Sequence, residues 1–190
     1  MKTLNQYIQE KLIINKNYHD DKIVVKSFDE LRKIIEDRYD KLGEGTEQNP
    51  IDFNDIDVSN IDFFCKGLGL FEGPKFKYID ISDWDVSNAK SMHRMFCGCS
   101  SLKSVGDLSN WDISNVTDMS YMFAFCKKFN QYLSKWNVSN VTNMYCMFEE
   151  CKSFNQDLSC WNVSNVTIHY GIFYHCPIKN EYKPKFKYSI

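Results

Sequence analysis

Apolar residues recur along this chain in two alternating rhythms. In Leu133-Ser-Lys-Trp136-Asn-Val138 they fall three apart and then two apart. In Val141-Thr-Asn-Met144-Tyr-Cys-Met147-Phe148-Glu-Glu-Cys151 they fall at offsets of three, six, seven and ten. The alternation across Trp-x-Val predicts a short strand with one buried face. The second spacing predicts one face of an α-helix. The tryptophan returns as Trp84, Trp111, Trp136 and Trp161, at intervals of 27, 25 and 25 residues. A degenerate earlier copy, Ile56-Asp-Val58-Ser-Asn60, puts Ile in the Trp column 28 residues before Trp84. Such periods mark arrays in which one small supersecondary unit leans on copies of itself.

Aligned on the tryptophan, the units share further columns. Phe53, Ile81, Leu108, Leu133 and Leu158 precede it by three residues, and Val58, Val86, Ile113, Val138 and Val163 follow it by two. Thr117, Thr142 and Thr167 sit where an N-cap would satisfy the first free amides of the expected helix. Asn60, Asn88, Asn115, Asn140 and Asn165 recur after the expected strand, placed to bond turn backbone of their own or the next unit. Cys99, Cys126, Cys151 and Cys176 form a column beside the Met and Phe columns, and read as small buried thiols, not as a disulfide framework.

Residues 1–50 do not repeat. Leu4, Tyr7, Ile8 and Leu12 are spaced for one face of a short helix, and Lys22-Ile-Val-Val-Lys26 reads as a strand. Ser27-Phe-Asp-Glu30 has the form of a capping box. The helix that it opens is expected to bury Phe28, Leu31, Ile34, Ile35 and Leu42 and to end at Gly43. The expected organisation is a helix–strand–helix cap over residues 1–50, about five repeat units over 51–178, and a tail over 179–190. The expected fold class is an α/β repeat: a short solenoid with a parallel strand ladder and one helix per coil, closed by the small N-terminal α/β cap.

Composition narrows the function classes. An apolar content of 43% is enough for a core, and a net charge of −2 sets up no global field toward nucleic acid or membrane. No stretch approaches the length of a membrane span. The N-terminus carries no continuous apolar run of the secretory type. We therefore expect a cytoplasmic or virion-associated protein rather than a cell-surface one.

The repeat F-N-x-x-L-S-x-W-[DN]-V-S-N-V-T-x-M-x-x-M-F-x-x-C, from about Asn54 to Cys176, resembles the BspA-like leucine-rich repeats of bacterial surface proteins and mycoplasma lipoproteins. That resemblance implies a leucine-rich-repeat-like solenoid used for adhesion or protein binding, with no catalytic residues to carry over. The chain departs from the pattern in its missing lipobox and in the shorter Val-to-Asn spacing. Its last unit has His169 and Ile172 in place of Met. The non-secreted N-terminal block is similar to intracellular or bacteriophage-encoded versions of such repeats.

Candidate chemistry lies between the buried positions. Asp55, Asp83, Asn110, Lys135 and Cys160 form one column, and Asp57, Asp85, Asp112, Asn137 and Asn162 the next. The first units are thus acidic and the later ones neutral. Stacked carboxylates repel across neighbouring strands, so this face is expected to take a partner. Asp55, Asp57, Asp83, Asp85, Asp112, Lys135, Asn137 and Asn162 are the candidate binding residues. A basic protein is the expected partner, with a hard cation such as Ca²⁺, or simple tolerance of Asp and Asn on a wet face, as the other readings. His93, Cys97 and Cys99, and His169, His175 and Cys176, mix soft metal ligands without paired knuckles, and no metal or other cofactor is expected. Nucleotide-binding, hydrolase and metalloprotease motifs are missing, and the serine column has no histidine column beside it to act as base. The lysine- and aromatic-bearing tail is too narrow a basic face for nucleic acid. The expected function is non-enzymatic protein binding through the strand face. Alternatives are a structural part of a larger assembly such as a bacteriophage particle, or a cell-surface adhesin if a leader has been removed.

Overall fold

The computed structural model describes residues 22–71 and 73–187. The helical spacing of Leu4, Tyr7, Ile8 and Leu12 lies outside the described residues. β1 (Ile23–Val24) leads into α1 (Phe28–Leu42). The Ser27 hydroxyl caps the helix by accepting the Glu30 amide at 3.2 Å, as the sequence motif requires. The Glu30 carboxylate reaches one residue further back than the box and accepts from the Lys26 amide at 2.9 Å. Gly43, at φ 78°, ends the helix. Leu31 and Ile35 are buried and Phe28 and Ile34 pack at the margin, whereas Leu42 is 63% exposed, so the apolar stripe stops short of the helix end. Arg38 docks the helix on the repeats. Its guanidinium donates twice to Asp55, at 2.6 and 2.9 Å, and once to the Asp52 carbonyl, and it lies 5.3 Å over the Phe53 ring.

Regular strand pairing is sparse. β2 (Ile51–Asp52) pairs parallel with β6 (Ile79–Asp80), and β3 (Ile56–Asp57) pairs parallel with β1. β4 (Cys65–Lys66) and β5 (Leu68–Gly69) form an antiparallel pair. Beyond these, neighbouring units meet at single parallel bridges, Phe63 to Ser91, Ser91 to Asp118, Asp118 to Asn143, and Asn143 to Ile168. The expected leucine-rich-repeat-like solenoid, with a strand ladder and one helix per coil, does not form. The described residues hold short two-stranded sheets, the single α-helix α1 and two short 3₁₀ segments, Leu108–Asn110 and Asn180–Tyr182.

The reason is that most apolar pairs three residues apart close their own turns. In the third unit the amide of Trp111 returns to the Leu108 carbonyl, Val116 to Ile113, Met122 to Met119, Ala124 to Tyr121, Cys126 to Phe123 and Phe129 to Cys126. These are four-residue turns laid end to end. A helix cannot run through them, because two positions per unit have positive φ. Arg94, Tyr121, Cys146 and Gly171 form one such column, and Gly98, Phe125, Glu150 and His175 the other. Left-handed residues break a right-handed helix wherever they fall. Thr117, Thr142 and Thr167 therefore cap nothing; their hydroxyls donate to the carbonyls of Lys90, Thr117 and Thr142 in the preceding unit, at 3.2–3.3 Å.

Aromatic columns join one unit to the next. Phe71, Phe96, Phe123, Phe148 and Phe173 stack with centroids 5.3–5.7 Å apart and planes within 11° of parallel. Each indole N–H donates to the preceding unit: Trp84 to the Phe53 carbonyl, Trp111 to Ile81, Trp136 to Leu108 and Trp161 to Leu133, at 2.8–3.2 Å. A buried indole with its donor satisfied supplies a large apolar area without a polar penalty. The column thiols act alike: Cys126 donates to the Phe96 carbonyl and Cys151 to Phe123, both at 3.0 Å. Burial pushes both thiols well above the usual range, so they stay protonated and unreactive.

Candidate functional site

The candidate acidic residues do not form one site; most of them hold turns. In the motif [Asp/Asn]-x-Ser the side-chain oxygen accepts from the amide two residues on, an Asx turn. Asp57 holds Ser59 in this way, Asp85 holds Ser87, Asp112 holds Ser114, Asn137 holds Ser139 and Asn162 holds Ser164, at 2.9–3.2 Å. Bonds from Ser59 and from Ser114 keep the Asp57 and Asp112 carboxyls below the ordinary carboxylate range. An amide oxygen does this work as well as a carboxylate, and so the column changes from Asp to Asn without loss. Asp55 is taken up by Arg38. Asp83 is exposed, its amide donating to Asn54 and its carbonyl accepting from Lys22.

Two more Asx columns escaped the sequence reading. Asp80, Asp107 and Asp157 hold Ser82, Ser109 and Ser159. Asp118 and Asn143 hold Ser120 and Tyr145. Their common signature, an Asp or Asn two residues before a small or polar residue, is present at each of these turns. The conserving device of the repeat is therefore the turn itself. The asparagine column completes it: the amides of Asn88, Asn115, Asn140 and Asn165 donate to the carbonyls of Ser59, Ser87, Ser114 and Ser139, always in the preceding unit, at 2.6–2.9 Å.

Lys135 lies where one of these columns fails. Tyr132 replaces the turn-holding Asp of the other units and stands 78% exposed. Tyr132, Lys135, Trp136, Asp107 and Ser109 line a shallow recess of about 210 Å³. A second departure from the buried pattern lies on the flank built by the left-handed turns. Phe125, Ile168, Tyr170 and Tyr174 are exposed there by 40–63%. Tyr121, Tyr145 and Tyr170 line up beside them, with ring centroids 5.2 and 6.1 Å apart. The bond from Tyr121 pushes the Tyr145 phenol up to about 12, and burial pushes the Cys146 thiol to about 11, so neither ionises near neutrality.

One hydrogen-bonded line superficially suggests catalysis. His93 Nδ1 lies 2.6 Å from Ser120 Oγ, which in turn donates to Asp118 Oδ1 at 2.6 Å. The hydroxyl proton is thus directed at a carboxylate, and the imidazole nitrogen serves as donor to the serine rather than as its base. Ser120 is also only 4% exposed. Activation of a nucleophile requires the opposite arrangement. The soft-ligand candidates are dispersed in the same way. Cys99 donates to the Phe71 carbonyl, His169 stacks on Phe186, and His175 bonds Glu150. Among the described residues no three His, Cys, Asp or Glu come together in a metal-holding group. No helix among them is long and apolar enough to cross a membrane.

The Leu, Trp, Val, Asn, Met, Phe and Cys columns fall largely within residues 67–186, which match a family model described as Mycoplasma protein of unknown function, DUF285. This corrects the expected membership of the BspA-like leucine-rich repeats, a different family. No curated protein and no solved structure matches the chain. The match takes in well over half of the sequence, and the chain belongs to the DUF285 family.

Proposed function

We propose that this protein is a non-catalytic protein-binding module. One observation carries the reading. In a frame whose ring and indole columns are almost wholly buried, Tyr132, Tyr170 and Tyr174 stand more than half exposed. Tyrosine at such positions offers a rigid apolar body with a polar tip, the residue type enriched where proteins meet. The recess beside Lys135 and the aromatic flank give two such places on one rigid support. The aspartate column no longer argues for a basic partner, because its carboxylates hold the chain's own turns. The location proposed is cytoplasmic or virion-associated. Free column thiols that donate to carbonyls support it.

The test is capture from the native source with the immobilised full chain, beside a Tyr132→Ala/Tyr170→Ala/Tyr174→Ala variant. All three side chains are exposed, so the variant should keep the wild-type melting curve. Wild type is expected to retain a saturable partner that the variant binds at least tenfold more weakly. Equal retention by both proteins, or turnover of a substrate by the chain alone, would refute the reading.

A further inference from the structure

Backbone hydrogen bonds between units in the left-handed segment run one way along the array. The amides of Met92, Arg94, Phe96 and Gly98 donate to the carbonyls of Asp118, Ser120, Met122 and Ala124 in the next unit. Those of Met119, Tyr121, Phe123 and Phe125 donate onward to Asn143, Tyr145, Met147 and Glu149. Met144, Cys146, Phe148 and Glu150 donate in turn to Ile168, Tyr170, Ile172 and Tyr174. Every second amide thus faces the next unit, while those between bond within their own unit, as Met95 to Met92 and Cys97 to Arg94 do. Among the described residues the last unit has no successor. Among the described residues nothing accepts from the amides of His169, Gly171, Phe173 and His175. This end of the array is therefore a row of donors with no matching row of acceptors.

Resting on the protein-binding reading, we propose that this row takes an extended acidic segment of a partner protein, whose carboxylates and backbone carbonyls supply the missing acceptors. Three observations select that occupant. The pairing it would make repeats a contact already made three times within the chain. Residues 168–187 carry Lys179, Lys183, Lys185 and Lys187 against Glu181 alone, a net charge of +3, so the surroundings favour an anionic ligand. Ile168, Tyr170 and Tyr174, all about half exposed or more, give an apolar margin beside the donors. A second copy of this chain fits poorly. Its own last unit offers donors to donors, and the first repeats carry α1, docked through Arg38. The tail reaches one end of the donor row, where Phe186 stacks on His169, and its Tyr182 carbonyl accepts from the Leu158 amide.

The experiment is titration of the ¹⁵N-labelled full chain with an N-acetylated, C-amidated octaglutamate peptide, with octalysine as control. The amide protons of Gly171, Phe173 and His175 are expected to move downfield and saturate. Those of Ile172 and Tyr174, already bonded to His169 and Gly171, should move least. Tyr170→Glu/Tyr174→Glu, which sets carboxylates at the rim, should weaken octaglutamate at least tenfold, and Gln48→Glu, on the exposed loop after α1, should leave it unchanged. Octaglutamate that saturates without moving these amides, that does not bind at all, or that binds the rim variant as tightly as wild type overturns the proposal. A native partner still lost by the alanine variant would then leave the protein-binding reading standing without this edge.

Discussion

At the residue scale, the molecule is governed by short polar side chains that fold back on their own backbone. Asp57, Asp107, Asp112 and Asp157 each hold a serine two residues on, and those bonds keep all four carboxyls below their ordinary range. A carboxylate whose folded value lies below its unfolded value adds stability above about pH 4, and that stability is lost as the pH falls through the folded value. The melting temperature should therefore fall as pH drops below about 4. Asp112→Asn should keep the turn at neutral pH and flatten the acid dependence, while Asp112→Ala should melt lower at every pH. Equal melting curves for the two variants would show that the Ser114 amide does not need its acceptor. The sequence displayed Asp57 and Asp112 plainly, but as an exposed acidic face, and gave no sign of Asp107 and Asp157. What it did not display was the i to i+2 bond that already employs each of them.

The element scale shows why the helices and strands were misread while α1 was found. The α1 signals are local and specific: a hydroxyl at the cap, an acid three residues later, and a glycine at the end. Inside the repeats, apolar residues three apart fit a helix face as well as they fit the two closing corners of a β-turn. Leu108 with Trp111, Met119 with Met122, and Phe123 with Cys126 are corners. A distinguishing trace was present in Gly98 and Gly171, which stand in the columns of Phe125 and Cys146, because glycine in the middle of an expected helix argues for a special backbone. Gly171 sits at φ +68°, and a Cβ there would lie 2.8 Å from the Cys146 sulfur. Gly171→Ala is accordingly expected to cost about 1–3 kcal/mol, read by urea unfolding. A neutral result would mean that this turn is free to change hand.

At the scale of the whole molecule, the 25-residue period was legible in the sequence because each copy must present the same ring, indole and thiol to its neighbour. The direction of the amides was not legible, since backbone polarity leaves no mark on side-chain spacing until the left-handed positions are known. The same register has an optical consequence. Trp111 and Trp136 lie 6.3 Å apart with planes 2° from parallel, close enough for their electronic transitions to couple. Parallel dipoles in register give little exciton circular dichroism but displace the absorption itself, so the strong ultraviolet indole band of the folded chain should be shifted from that of an isolated indole. Trp136→Phe should reduce this shift, whereas Tyr132→Phe should leave it intact. The chain thus reports on its own internal spacing without a label, through light absorbed by residues that solvent scarcely reaches.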